Sequence, residues 1–478
     1  MKMLINGQRT GASDGGVLEV CNPATGALLD TVPAATAADL ERALTAAQKG
    51  WPAWAGTPLF ERGAILRRFV RSIDEHNEEL SLLLCREMGK PISEARNDFG
   101  SVKHLFNGFV EAANQLTGMT MPLGVQEGRE KDFELAIREP LGVVACIIPF
   151  NAPLVLFSHK VAPALIAGNA VIVKPASDDP LVLLRLGELL WEAGVPGDVF
   201  QMITGSGAQI GSLLAGDPRV AKVSFTGSTE VGLAIARAAA ANMGHTGLEL
   251  GGNAPFVVMA DADIDRAAAE AAAGRATYVT GQICNVAKRF LIHRSVKAAF
   301  TANLIDRLQK IIIGDPEDPA TQMGTLISES AAREVERQVA HTVSQGAKLI
   351  YGGVRSGAYY TPAVLDEVTG AMDIAHDMEV FGPVFPLLTF DTLEEAIDLS
   401  NDTIFGLGAG IMTGDMSIAL RFAMAVQAGS VIINGQSFYR SFMMPFGGYK
   451  QSGGGREGLT VSLQEVTQLK SIVFKNVL

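Results

Sequence analysis

Cys284 ends the stretch Gly281-Gln282-Ile283-Cys284, in which a glycine breaks the chain after an Ala-rich segment, Asp263 to Tyr278, that reads as a helix. A thiol presented to a cleft by such a break can be a nucleophile once its proton is removed or its pKa lowered; a lone cysteine can equally be a small buried hydrophobe. Glu249 lies in Leu248-Glu249-Leu250-Gly251-Gly252. Burial among those neighbours would raise its pKa towards that of a general base, and a structural ion pair is the alternative. Asn151 is framed by Pro149 and Pro153, a rigid setting for aiming an amide at a developing oxyanion, or else an ordinary turn.

Lys174 closes an apolar run and precedes Pro175-Ala176-Ser177, so its ammonium can reach ribose hydroxyls or a phosphate, or simply be solvated. Gly205-Ser206-Gly207-Ala208-Gln209-Ile210-Gly211 is GxGxxxG, one residue longer than the usual dinucleotide fingerprint. Phe225-Thr226-Gly227-Ser228-Thr229-Glu230-Val231-Gly232 is a second strand–glycine–helix junction, whose free helix amides could hold a phosphate. Each of these junctions can also be a tight turn and nothing more.

The elements that must carry these groups alternate regularly. Gly142 to Ile148 reads as a buried strand, with a helix after Pro153. The strand Ala170 to Lys174, the helix Leu181 to Ala193 and the strands Val199 to Ile203 and Val220 to Phe225 follow. Apolar, β-branched strands between helices mean a parallel sheet covered on both faces, with ligands beyond the carboxyl ends of the strands. That rule puts Pro149–Asn151, Lys174–Ser177, Gly205–Gly211 and Phe225–Ser228 on one rim. Residues 256–430 repeat the α/β theme more loosely, and the boundary falls near Gly251-Gly252. Residues 1–35 look like a peripheral sheet, and a helix capped by Thr36 to Asp39 and further helices over 59–117 come next. Phe133 to Arg138 and Leu469 to Phe474 read as exposed strands, suited to pairing with each other or with another subunit.

At 478 residues the chain exceeds one ordinary core, so two large domains are expected. Net charge is -12, with 39 basic against 51 acidic residues and no basic cluster, which argues against nucleic acid as a partner. The four cysteines, Cys21, Cys85, Cys146 and Cys284, form no CxxC pair; a disulfide framework or a metal site is not expected, and a reducing cytoplasm fits. The first residues turn polar too early for a signal peptide. The most apolar region, Gly142 to Phe157, is interrupted by Pro149, Asn151 and Pro153, so no membrane span is expected.

Together these motifs resemble one family. Pro149-Phe150-Asn151-Ala152-Pro153 is similar to the PWNFP motif of the aldehyde dehydrogenase superfamily. Lys174-Pro175-Ala176, Phe225-Thr226-Gly227-Ser228, Leu248 to Gly252, Gly281 to Cys284, Glu379-Val380-Phe381-Gly382-Pro383 and Pro445-Phe446-Gly447-Gly448 follow in the family's order. The resemblance implies an α/β protein of two domains with parallel-type sheets and a small β oligomerisation element. Residues 1–119 and 141–251 would bind NAD(P), 252–450 would form the catalytic domain, and 120–140 with 451–478 would join subunits into a dimer or tetramer.

The resemblance also implies roles. Cys284 would be the nucleophile, Glu249 the base for the deacylating water, and Asn151 with the Cys284 backbone amide the oxyanion hole. NAD or NADP would lie against Ile148, Pro149, Phe150, Lys174, Ala176, Ser177, Gly207, Gly211, Phe225, Thr226, Gly227, Ser228, Val231, Leu250 and Gly251. Glu379 and Phe381 would frame its nicotinamide end. Thiolate attack on an aldehyde creates a tetrahedral oxyanion, and the thioester left after hydride loss needs a base beside water, so the implied roles are chemically consistent.

Departures from the family pattern refine the expectation. Phe150 and Ala152 replace the usual tryptophan and phenylalanine. Ser177 stands where NAD-preferring members often carry a glutamate, so NADP is expected to be accepted. His159-Lys160 falls where succinate-semialdehyde-type members often have an arginine before the lysine, which disfavours a dicarboxylic semialdehyde. The sequences around Lys174 to Pro180 and Met444 to Gly448 look most like the lactaldehyde and glyceraldehyde dehydrogenase branch. The loop Gln436 to Phe442, with Phe438, Tyr439 and Arg440, would form part of the substrate entrance, and His159 would add a polar group nearby. Arg440 is suited to an anionic tail or to a subunit interface. A small polar aldehyde is the expected substrate. The alternatives are an anionic semialdehyde, a CoA-acylating enzyme and a silent NAD(P)-binding structural protein; Glu249 separates the chain from the acylating branch, and Cys284 with Glu249 from a silent one.

Overall fold

The computed structural model describes residues 1–477; Leu478, the last residue of the expected 451–478 element, lies outside them. Val143–Ile147 and Ala170–Lys174 are buried along their whole length. Strands without a polar face must be covered on both sides, and here helices do so. They lie inside an eight-stranded sheet ordered Gln8–Thr10, Met3–Ile5, Phe200–Met202, Ala170–Lys174, Val143–Ile147, Val220–Thr226, His245–Glu249 and Gly453–Gly454. From Val143–Ile147 the chain steps outward through Ala170–Lys174 to Phe200–Met202, then returns to lay Val220–Thr226 and His245–Glu249 on the other side, all parallel. Such a reversal opens a crevice beyond the carboxyl ends. The register sets Ile147 beside both Lys174 and Phe225, and Thr226 beside Glu249.

Residues 1–35 divide between two sheets instead of forming one peripheral sheet. Met3, Leu4 and Ile5 are all buried and join the large sheet antiparallel to Phe200–Met202, whereas Val17–Cys21 and Leu28–Pro33 form a separate pair. Thr36 and Asp39 make a reciprocal capping box at the start of the helix Ala37–Gly56. Leu59–Glu75, Asn77–Met88 and Ile92–Ala113 follow.

A seven-stranded sheet is ordered Lys348–Tyr351, Ala363–Val368, Val384–Phe390, Ala287–His293, Ala254–Val258, Gly408–Met412 and Ser430–Ile433. Only its first pair is antiparallel. Glu249 ends a strand of the first sheet, and Gly251-Gly252 lead straight into Ala254–Val258 of the second. Cys284 comes just before Ala287–His293, and Glu379 and Phe381 just before Val384–Phe390. The carboxyl ends of one sheet therefore face the amino ends of the other, and Phe150 meets Phe381 across the gap with ring centroids 6.0 Å apart.

Phe133–Pro140 pairs antiparallel with Thr467–Phe474 along its full length, so the two exposed strands read in the sequence pair with each other. Thr467–Phe474 is an edge strand that exposes Leu469, Val473 and Phe474. No helix among the described residues is long and apolar enough to cross a membrane.

Candidate active site

The Ala-rich segment does not run as one helix to Tyr278. Ile264–Ala272 is α-helical, Ala273–Thr277 widens into a π-helical turn, and Val279, Thr280 and Gly281 then take left-handed φ values of 47, 51 and 75°. That region costs residues with a Cβ on the order of 1–2 kcal/mol each, so the surroundings must impose it. Buried Arg275 does much of this, donating to the carbonyls of Gly281 at 3.0 Å, Val380 at 2.6 Å and Val384 at 3.1 Å. Gln282 adds two bonds: its Nε2 donates to Val279 O at 3.1 Å and its Oε1 accepts from Ile327 N at 3.0 Å.

This break brings the half-buried Cys284 to the wall of a solvent-open cavity of about 820 Å³, shared with Asn151, Tyr278, Phe438, Arg440 and Phe442. Asn285 ties the cysteine loop to the 436–442 segment: its Nδ2 donates to Ser437 O at 3.0 Å, and Ser437 Oγ donates to Asn285 O at 2.5 Å. Burial pushes the Cys284 thiol up to about 11, against the pull of Lys288 and with the push of Glu379 and Glu249. The thiol of the cofactor-free protein is therefore protonated at neutral pH.

Glu249 is buried and does not line this cavity. It borders a separate space of about 30 Å³ with His159, Lys160, Arg456 and Glu457, room for about two waters. Its Oε2 has no hydrogen-bond partner. Burial, then the charge of Glu457, push its carboxyl well above the ordinary range, while Arg440 and Lys160 partly offset them. Glu457 is poised oppositely. Burial opposes its charge, but Lys160 Nζ at 2.6 Å from Oε1 and Arg440 Nη2 at 2.9 Å from Oε2 hold it far below the usual carboxylate range. Two carboxyls pushed apart in this way suit one for proton transfer and the other for a fixed charge.

His159 borders the small space and not the large cavity. It is packed edge-on to Phe109 and Phe442, and burial lowers its pKa well below 6.5, so the ring is neutral at neutral pH. Arg440 lines the large cavity, with its guanidinium over the Phe446 ring at 4.0 Å.

The rim residues gather on the first sheet. Ile148 N donates to Lys174 O at 3.0 Å, and Gly227 N to Glu249 O at 3.1 Å. Lys174 is buried rather than solvated, its Nζ donating to Pro175 O at 2.9 Å, and burial lowers its pKa to about 8. Ala176 and Ser177 are half-buried beside it, and the Ser177 hydroxyl donates to Gly205 O at 3.1 Å. A Cβ at Gly207 or Gly211 would meet nothing within 4 Å, so internal packing does not require glycine there. Thr226 Oγ1 is buried without a partner, and Ser228 caps the helix Thr229–Ala240 by accepting from Val231 N at 3.4 Å. Open space over Gly207 and Gly211, an orphaned hydroxyl and a buried lysine on one rim fit a dinucleotide.

Glu379 Oε1 accepts from Gly252 N at 3.2 Å and pairs with Lys288 Nζ at 2.9 Å. A Cβ on Gly251 would collide with Glu379 Oε2, and one on Gly252 with Cys284 O, so this doublet lets a carboxylate and the cysteine backbone close on the sheet junction. Leu250 packs beside it on Gly232 of the rim helix.

Lys288, Lys160, Glu457 and Arg275 have no assigned part in the sequence reading, yet they hold the site together. Their signal was charge in apolar or glycine-rich surroundings: Lys288-Arg289 open the run Phe290-Leu291-Ile292, and Glu457 lies in Gly455-Arg456-Glu457-Gly458. Among the described residues no three or more His, Cys, Asp or Glu side chains gather as metal ligands would.

Residues 10–472 match the model of the aldehyde dehydrogenase family. An aldehyde dehydrogenase from Brucella melitensis biovar abortus 2308 is 38% identical, with 99% of this chain and 97% of that one covered at a TM-score of 0.95. An E. coli NADP-dependent enzyme is 36% identical over 99% and 98% of the two chains, also at 0.95. Succinate-semialdehyde dehydrogenase from Burkholderia pseudomallei matches equally, at 36%, 99%, 98% and 0.95. The chain belongs to the aldehyde dehydrogenase family, and the α/β fold and enzyme class expected from its motifs are those of that family. It is an oxidoreductase that acts on aldehydes.

Proposed function

We propose that this enzyme oxidises a small polar aldehyde, such as lactaldehyde, glyceraldehyde or glycolaldehyde, to the carboxylic acid with NAD or NADP. The observation that carries the reading is the division of the site. Cys284 and Asn151 share the open cavity, while Glu249, with an unpartnered oxygen, borders a separate water-sized space.

The thiolate of Cys284 adds to the aldehyde carbon, and the Asn151 amide with the Cys284 backbone N–H bonds the oxyanion. Bound NAD or NADP would supply the hydride acceptor needed to oxidise this adduct to a thioester. Glu249 takes a proton from water, the hydroxide adds to the thioester carbon, and the acid leaves as the C–S bond breaks. Lys174, Ser177, Gly207, Gly211, Thr226 and Val231 would hold the adenosine end of the dinucleotide, with Glu379 and Phe381 at the nicotinamide end. Loss of a glutamate at 177 removes repulsion of a 2′-phosphate, so both dinucleotides are accepted.

Residues 1–119 with 141–251 would serve as the cofactor unit and 252–450 as the catalytic unit. The exposed edge Thr467–Phe474, within the 120–140 and 451–478 element, would join copies into a dimer or tetramer. For the aldehyde, the cavity wall combines Tyr278, Phe438 and Phe442 with Arg440. The charge of Arg440 is already met by Glu457. A neutral hydroxyaldehyde therefore suits the wall better than an anionic semialdehyde, which would have to compete for the guanidinium.

A panel of hydroxyaldehydes, straight-chain aldehydes and semialdehydes, assayed with each dinucleotide and with or without CoA, tests this. Short hydroxyaldehydes should give the highest kcat/KM, with free acid as the product in every case. A steady rise in kcat/KM with alkyl length, or acyl-CoA as the main product, would overturn the reading.

A further inference from the structure

Lys288 is a charged side chain placed among the reacting groups but given no role by the chemistry above. It lies in the strand Ala287–His293 and is 1% exposed. Its Nζ donates to Cys284 O at 2.6 Å and Ile283 O at 2.9 Å, and lies 2.9 Å from Glu379 Oε1. The same ammonium sits 5.6 Å from the centre of the Phe381 ring. An ammonium has three N–H donors, and here all three have acceptors.

We propose that Lys288 is a positioning residue for the reaction, clamping the nucleophile loop to Glu379 and placing a positive charge beside the Cys284 thiol. The clamp follows from connectivity. Residues 282–285 follow three left-handed positions, and a loop so bent needs anchors on its far side as well as at Arg275. Lys288 anchors the carbonyl of the Ile283–Cys284 peptide, whose N–H is the one proposed for the oxyanion, and the carbonyl of the Cys284–Asn285 peptide that follows it. It also fixes Glu379, whose other contact is Gly252 N.

The charge follows from the neighbours. Cys284 is faced by Lys288 and Arg440, which favour the thiolate, and by Glu379 and Glu249, which oppose it. Lys288 itself is faced by Glu379, Arg275 and Cys284. Among the charges around the thiol, Lys288 is the largest influence, and it is directed against the effect of burial.

This inference rests on Cys284 as the nucleophile. The experiment is alkylation of the cofactor-free enzyme by iodoacetamide at several fixed pH values, with each cysteine followed by peptide mass spectrometry. Exposed Cys21 is the internal reference, and protection of buried Cys85 and Cys146 reports that the variant is folded. Lys288→Met should raise the Cys284 pKa by about one unit. The thiolate fraction then falls about tenfold, partly offset by greater nucleophilicity, leaving Cys284 alkylation about three- to fourfold slower relative to Cys21. Lys288→Arg should keep the wild-type rate within about twofold, because it keeps the charge.

Glu379→Gln is the second arm and does not depend on Lys288→Met folding. It leaves the ammonium without its counter-ion, so Cys284 should react faster. An unchanged or faster rate in folded Lys288→Met, or an unchanged or slower one in Glu379→Gln, overturns the proposal. Full turnover by wild-type enzyme already alkylated at Cys284 would instead overturn the assignment of the nucleophile.

Discussion

The guanidinium of Arg440 bonds the carboxylate of Glu457, Nη2 to Oε2 at 2.9 Å, within a charge cluster that also bears on Glu249. Arg440 lowers the Glu249 pKa, against burial and the charge of Glu457. Its removal therefore raises that pKa further. Because the proposed role of Glu249 requires it to be ionised to take a proton from water, Arg440→Ala should move the acid limb of the kcat–pH profile to higher pH, with Arg440→Lys in between. Selective loss of anionic aldehydes with an unmoved acid limb would mean that the arginine serves the substrate instead.

Cys284 and Glu249 occupy different spaces, so their variants should fail differently. Cys284→Ala should abolish turnover while binding dinucleotide normally, since no other cysteine lines the cavity. Glu249→Gln should release a first equivalent of reduced cofactor and then turn over about 10²–10⁴-fold more slowly. Rapid mixing distinguishes the two. A Glu249→Gln enzyme with no burst and full steady-state turnover would remove Glu249 from deacylation.

In its proposed place at the cofactor, Lys174 should give the dinucleotide preference a pH dependence. Burial brings its pKa to about 8, so its ammonium is lost as pH rises through that value in the free enzyme. A 2′-phosphate needs that charge more than a ribose hydroxyl does. The ratio of kcat/KM for NADP to that for NAD should therefore fall between about pH 7 and pH 9.5. A constant ratio across that range would show that Lys174 does not meet the phosphate.

Ser177 tests the same end of the cofactor from the other direction. Its hydroxyl donates to Gly205 O and brings no charge to the rim. Ser177→Glu should shift preference towards NAD by at least about fivefold, the effect of roughly 1 kcal/mol between two charges 4 Å apart in water. Initial-rate measurements with both dinucleotides check this; unchanged selectivity would move the determinant elsewhere on the rim.

Much of this protein was legible in the sequence because it is local. Val143–Ile147 and Ala170–Lys174 are apolar on both faces, which by itself demands helices above and below a parallel sheet. The motifs around Asn151, Lys174, Glu249 and Cys284 stand at the ends of strands or in the breaks just before them, so short windows reveal them. What the tertiary structure alone decided are the pairings between distant parts of the chain. Met3–Ile5 looks peripheral until it is seen beside Phe200–Met202, and His159 looks like a pocket residue until its helix turns it between Phe109 and Phe442. In one dimension Lys160 and Lys288 show only as charges in apolar surroundings, with nothing to say what partners them. Only when the fold brings Glu457 and Glu379 against them does it become physically possible to bury their charges, because a buried ion needs its counter-ion at hydrogen-bond distance. The motifs name the groups proposed to react, and long-range burial sets the protonation states in which they meet.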